Sequence, residues 1–138
     1  GFYRVVSPKL LKIGPYQGQH GCLTIPFSKG VCGTAAATGK TQLVRNVENY
    51  SNHIACSSST KSELVIPVWN RKNELIGVFD IDSDREDAFS SYDAEELGKI
   101  LDKYVPEFAE EVKLELPKLN KVSETKAPEI KLPKLKKV

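Results

Sequence analysis

Phe2 to Val6 and Leu10 to Ile13 are short runs of apolar residues, each interrupted by a single basic position, Arg4 and Lys12, which predicts two short strands joined at the turn signal Ser7-Pro8. A loop marked by Gly14-Pro15 and Gly18 follows, then a short apolar stretch from Cys22 to Phe27. Val31 to Thr38 is small and Ala-rich, and Gly39 stands where a helix places its C-terminal glycine. Thr41 to Val44 reads as a strand, and Asn46 to Ser59 as loop or irregular helix. Glu63 to Trp69 and Glu74 to Asp82 are strands flanking Asn70-Arg-Lys-Asn73, a hairpin signature.

The last element has the clearest period. Leu97, Ile100, Leu101, Tyr104, Val105, Phe108 and Val112 follow helical spacing, with Asp93 and Glu96 as a capping box. Pro106 removes one backbone donor and is expected to break or bend that run. The order predicts an α+β domain over residues 1–112, a mixed sheet with its helices gathered on one face. Beyond it, residues 113–138 carry Pro117, Pro128 and Pro133, no aromatics, and a repeat of Leu116-Pro-Lys-Leu at Leu132-Pro-Lys-Leu. Apolar residues this sparse do not offset the entropy of ordering, so a disordered, solvated extension is expected there, rather than a tether to an acidic surface.

Composition narrows the class. The 138 residues are 40% hydrophobic and 28% charged, as in an ordinary globular domain. The net charge of +2 hides an asymmetry: from Lys113 onward eight lysines face three glutamates, leaving the remainder at −3. A mildly acidic domain gives no reason to expect a nucleic-acid partner. No apolar run approaches the ~20 residues of a membrane helix, and no signal peptide is recognisable. The first residue is Gly1 rather than Met, as in a fragment or a processed chain. Three cysteines are few and odd in number for a disulfide framework, which points to working thiols in a reducing, cytoplasmic setting.

Two familiar motifs fail on spacing. Gly33-Thr-Ala-Ala-Ala-Thr-Gly39-Lys-Thr41 approaches a P-loop but has one residue too many between its glycines, so a small-residue helix and turn is preferred. Cys22, Cys32, His53 and Cys56 include zinc-type ligands, yet only His53 and Cys56 form a short pair, so no metal site is expected. The thiols themselves say more. Cys22 sits in a Gly-rich loop, Cys32 at a helix start where amide dipoles are expected to lower a thiol pKa, and Cys56 beside Ser57-Ser-Ser59. In Leu75 to Asp82 the strand period puts Val78, Asp80 and Asp82 on one face, the two acids' β-carbons roughly 7 Å apart. Such acids are costly unless solvated, paired or used.

Taken in order, Gly14-Pro-Tyr-Gln-Gly18, Cys22, Ile25-Pro-Phe27, Gly30-Val-Cys-Gly33-Thr34, His53-Ile-Ala-Cys56, Ser62-Glu63 and Gly77-Val-Phe-Asp-Ile-Asp-Ser83 closely resemble the free methionine-(R)-sulfoxide reductases, which are single GAF domains. The resemblance runs from residue 1 to about 105, and three cysteines at this spacing separate the reductases from GAF sensors. It implies an antiparallel six-stranded sheet with helices on one side and a loop-closed pocket on the other. It implies no cofactor. It also implies that a cysteine attacks the sulfoxide sulfur and releases methionine. Cys56, within His-Ile-Ala-Cys, is the expected nucleophile; its sulfenic acid then condenses with Cys22, or failing that Cys32, and thioredoxin restores the thiols.

Asp80 and Asp82, crowded together, are expected to have raised pKa values and to protonate the sulfoxide oxygen, while Glu63 is the expected partner of the substrate ammonium. The split of roles among the three acids stays open at this level. The chain departs from the family at Ser57 and Asn46, where acids are usual. The family also has an N-terminal segment before the position of Gly1, whose helices cover the sheet; its absence is expected to leave one face thinly covered, to lower stability and to favour homodimers. An inactive GAF module that binds a small molecule through Glu63, Asp80 and Asp82 is the alternative.

Overall fold

The computed structural model describes residues 1–111, with side chains through Pro106. The basic segment 113–138, its repeat and the expected boundary at 112 lie outside the described residues. Six strands form one antiparallel sheet: β1 (Phe2–Ser7), β2 (Leu10–Ile13), β3 (Thr24–Pro26), β4 (Gln42–Val44), β5 (Ser62–Trp69) and β6 (Leu75–Ser83). Their spatial order is β3-β2-β1-β6-β5-β4, so the first strand pairs with the last at the centre. The hairpins 7–10 and 69–75 turn through Lys9 and Asn73, both at positive φ.

Helix α1 (Gly30–Thr38) packs on one face of this sheet and α2 (Ser91–Glu111) on the other. Val31, Ala35 and Ala36 of α1 meet Tyr3, Leu11, Val65 and Val78, whereas Leu97 and Leu101 of α2 meet Leu64, Ile66, Val68 and Phe79. The α+β class stands, as does the antiparallel sheet that the resemblance implies. The mixed sheet expected from the element order does not, since all five strand pairings are antiparallel, and neither does the expectation of helices on a single face. The cause is visible in β5, where residues 62–68 are all buried, so neither face can be left to water.

Small residues let α1 lie close. A β-carbon at Gly33 would collide with the Pro26 carbonyl of β3, and Gly39 closes the helix in the left-handed conformation, its N–H donating to the Ala35 carbonyl at 2.9 Å. The start of α2 differs from expectation by one turn. Ser90 donates from both its N–H and its hydroxyl to Asp93 Oδ2, at 2.8 and 2.6 Å, and the Asp93 N–H donates back to Ser90 Oγ at 3.3 Å. The box is therefore Ser90 with Asp93, not Asp93 with Glu96. The helix continues through Pro106 to Glu111, with one backbone donor fewer. Leu101, buried, and Leu97 and Val105, partly buried, form its inward stripe; Ile100 and Tyr104, one position away, are about half exposed. Among the described residues no helix is long and apolar enough to cross a membrane.

Candidate active site

On the α1 side, between that helix's first turn, the ends of β5 and β6, and two loops, lies a cavity of about 440 Å³. That volume suits a small ligand. The loops are residues 14–23 and 50–61, and they are tied across its mouth. Cys22 and Cys56 form a disulfide, with their Cα atoms 5.0 Å apart. The hydroxyls of Ser57 and Ser59 donate to Gln19 Oε1 at 3.1 and 2.9 Å. Asn52 anchors the second loop to the turn before α1 by donating to the Ser28 carbonyl at 2.6 Å.

The strands supply the acids. Alternation on β5 and β6 turns Glu63, Asp80 and Asp82 to the same face as Val65 and Val78, and the register sets Glu63 opposite Asp82 and Val65 opposite Asp80. Cys32, the third residue of α1, reaches down onto them. Its thiol donates to Glu63 Oε1 at 3.9 Å, and the sulfur and one oxygen each of Glu63 and Asp80 lie within 4.8 Å of one another. Asp80 Oδ1 is buried without a hydrogen-bond partner.

Crowding and burial hold protons here. Glu63 is pushed up to about 9, first by burial and then by Asp80 and Asp82. Asp80 rises to about 7, by burial and by Asp82. Asp82, more exposed at the rim, is also raised by burial, against a hydrogen bond to Thr60 that pulls the other way. Burial, followed by Asp80 and Glu63, pushes the Cys32 thiol well above its ordinary value. The lowered pKa expected at a helix start is thus reversed: Cys32 is free, buried and faces carboxyls rather than water.

All six residues singled out in the sequence fall in or at this site, but not in one cluster. Cys32, Glu63 and Asp80 meet at its floor, Asp82 and Cys56 line it nearer the mouth, and Cys22 bonds Cys56 from the opposite loop. The zinc-type set does not assemble, because Cys22 and Cys56 are bonded to each other. The described residues best grouped to hold a metal are Cys32, Glu63 and Asp80, one thiol and two carboxyls from three elements. Of the departures from the reductase pattern, Ser57 joins the Gln19 contact, and Asn46 caps the short turn 47–49 by accepting from the Glu48 N–H at 2.8 Å. Sequence reasoning missed Tyr3, Gln19, Asn52 and Thr60. Only Tyr3 left a signal: a tyrosine facing the core must find its hydroxyl a partner or an opening.

The GAF domain family model matches residues 3–102. The chain is 44% identical over 102 residues to the free methionine-R-sulfoxide reductase of Saccharomyces cerevisiae, covering 72% of this chain and 57% of that protein. It is 40% identical over 101 residues to the enzyme of that name from Escherichia coli, covering 73% and 60%. The X-ray structure of free methionine-R-sulfoxide reductase from Neisseria meningitidis, in complex with its substrate, superposes with a TM-score of 0.71 at 42% identity, covering 79% of this chain and 68% of that one. The chain thus spans about three-fifths of the length of the two curated relatives. With its sheet, its cavity and this agreement in hand, the chain belongs to the GAF domain family and is similar, over its described residues, to the free methionine-R-sulfoxide reductases.

Proposed function

We propose that this chain reduces free methionine-(R)-sulfoxide to methionine. The observation that carries the reading is a reducible cysteine pair, Cys22 and Cys56, at the mouth of a cavity whose acids retain protons. The relatives named above support the substrate.

Cys56 lines the cavity and Cys22 does not, which supports Cys56 as nucleophile. Its sulfur attacks the sulfoxide sulfur; the oxygen passes to Cys56 as a sulfenic acid and methionine leaves. The substrate sulfur gains two electrons and Cys56 loses two. The Cys22 thiol then displaces that oxygen as water, forming the Cys22–Cys56 disulfide, and an external dithiol such as thioredoxin exchanges both thiols back.

A sulfoxide oxygen becomes a good leaving group only when protonated. Glu63 and Asp80, deep and proton-bearing, are assigned to that task. Asp82, exposed at the rim, is assigned to the substrate ammonium; Glu63, the sequence-level choice, lies deeper against Cys32. The inactive binding module leaves the cysteine pair without a role and is not favoured. A single-turnover assay on the reduced chain tests the proposal. One methionine released per chain, with two of the three thiols lost, supports it; no methionine from folded, reduced protein overturns it.

A further inference from the structure

Tyr3 has no part in the chemistry above, yet it lines the same cavity. Its backbone is locked between two neighbours on β1, opposite Ile13 of β2 and Val78 of β6. Its ring is part of the buried core, with only 6% of the residue exposed. The hydroxyl end lines the cavity beneath the loop at Gly21, where a β-carbon would approach it to 2.9 Å. No described residue takes its hydrogen bond. Among the described side chains the one sealed polar atom without a partner is Asp80 Oδ1, so the Tyr3 hydroxyl is open to the cavity rather than walled off.

We infer that the Tyr3 hydroxyl donates a hydrogen bond to the sulfoxide oxygen of the bound amino acid and thereby makes the cavity distinguish methionine sulfoxide from methionine. The inference rests on the proposed function, and it adds a residue that function does not require. A hydroxyl left unpaired in an otherwise buried ring is a donor awaiting an acceptor, and of the two amino acids only the sulfoxide brings one at that end. Burial raises the phenol, and Cys32, Asp80, Asp82 and Glu63 raise it further, so it keeps its proton throughout the working range. It therefore acts as a fixed donor and leaves proton transfer to the acids. A site built to hydrogen-bond an oxygen rejects the analogue that lacks it, because the donor is then left unpaired.

The test is equilibrium binding of methionine-(R)-sulfoxide and of methionine to the chain carrying Cys56→Ser, which blocks turnover. That chain is expected to prefer the sulfoxide. Adding Tyr3→Phe keeps the ring and is expected to weaken sulfoxide binding about tenfold, as for loss of one net hydrogen bond, and to leave methionine binding unchanged. Gly21→Ala is the second variant. It crowds the hydroxyl while leaving Tyr3 in place, and is expected to shift the preference in the same direction.

If Cys56→Ser binds neither amino acid, the functional reading itself fails, and this inference with it. If it prefers the sulfoxide and both added variants keep that preference, the reductase reading survives and the Tyr3 role is overturned. Equal loss of both ligands in both added variants also overturns it, since that marks a packing role.

Discussion

Strands β5 and β6 present two different surfaces back to back. Toward α2 they carry Leu64, Ile66, Val68 and Phe79, closed over by Leu97 and Leu101, a dry apolar layer. Toward α1 the same strands carry Glu63, Asp80 and Asp82 around a cavity, with a buried carboxylate oxygen left unpartnered. The first surface stabilises the fold, and the second works against it. Groups that lose hydration without gaining partners are destabilising, and such strain is tolerated where the rest of the structure supports it. The polar groups gather on the face that the hydrophobic effect alone would not have built.

The largest separation between the faces is expected in turnover. Cys56→Ser should abolish methionine formation, whereas Cys32→Ser should leave the first reduction intact, both read in the single-turnover assay. The opposite ranking would move the nucleophile to the floor of the cavity. Asp80→Asn, which cannot supply a proton, should lower the rate about 10²- to 10⁴-fold.

On the other face, Leu64→Ala removes a side chain with no exposure and should cost about 2–5 kcal/mol, measured by urea unfolding. The same variant should retain sulfoxide turnover wherever it is folded. A loss of activity without a loss of stability would mean that the faces are coupled.

Acidity separates the faces a third way. Asp80 and Glu63 have folded-state values of about 7 and about 9, above their ordinary 3.8 and 4.5. Between those limits the unfolded chain has released protons that the folded chain still holds. Stability is therefore expected to fall as pH rises from about 4 through 7 and on toward 9. Each unit of displacement is worth about 1.4 kcal/mol, so the urea midpoint at pH 8 should lie below that at pH 5. Asp80→Asn should flatten part of that slope and Leu64→Ala none of it. Equal midpoints in the parent chain would mean that the acids are better solvated than their burial implies.

The smallest effect is expected away from both faces. Arg45 donates from Nη1 to both carboxylate oxygens of Asp87, at 2.9 and 3.1 Å, but both side chains are more than half exposed. Arg45→Gln should cost less than about 1 kcal/mol and leave turnover unchanged. A larger loss would show that the loop after β6 supports the site.

Local pattern made most of this legible. Alternation along Leu75 to Asp82 was enough to put Asp80 and Asp82 on one face, and Gly39 marked the end of α1. The ordered run of motifs identified the GAF resemblance and every acid and thiol of the site. These are short-range consequences of strand period, backbone conformation and residue chemistry, which operate within a few residues. Other outcomes required the chain to close on itself. Pairing β1 with β6 brought Tyr3 beside residues more than seventy positions away. Burial of β5 over residues 62–68 drew the two helices to opposite faces, and that same closure buried Cys32 against carboxyls, so that burial first and their charge second raise the thiol. Burial and charge–charge distance are properties of the assembled fold, so a residue's place in the chain announces its chemistry, while its neighbours in space decide its protonation and its partner.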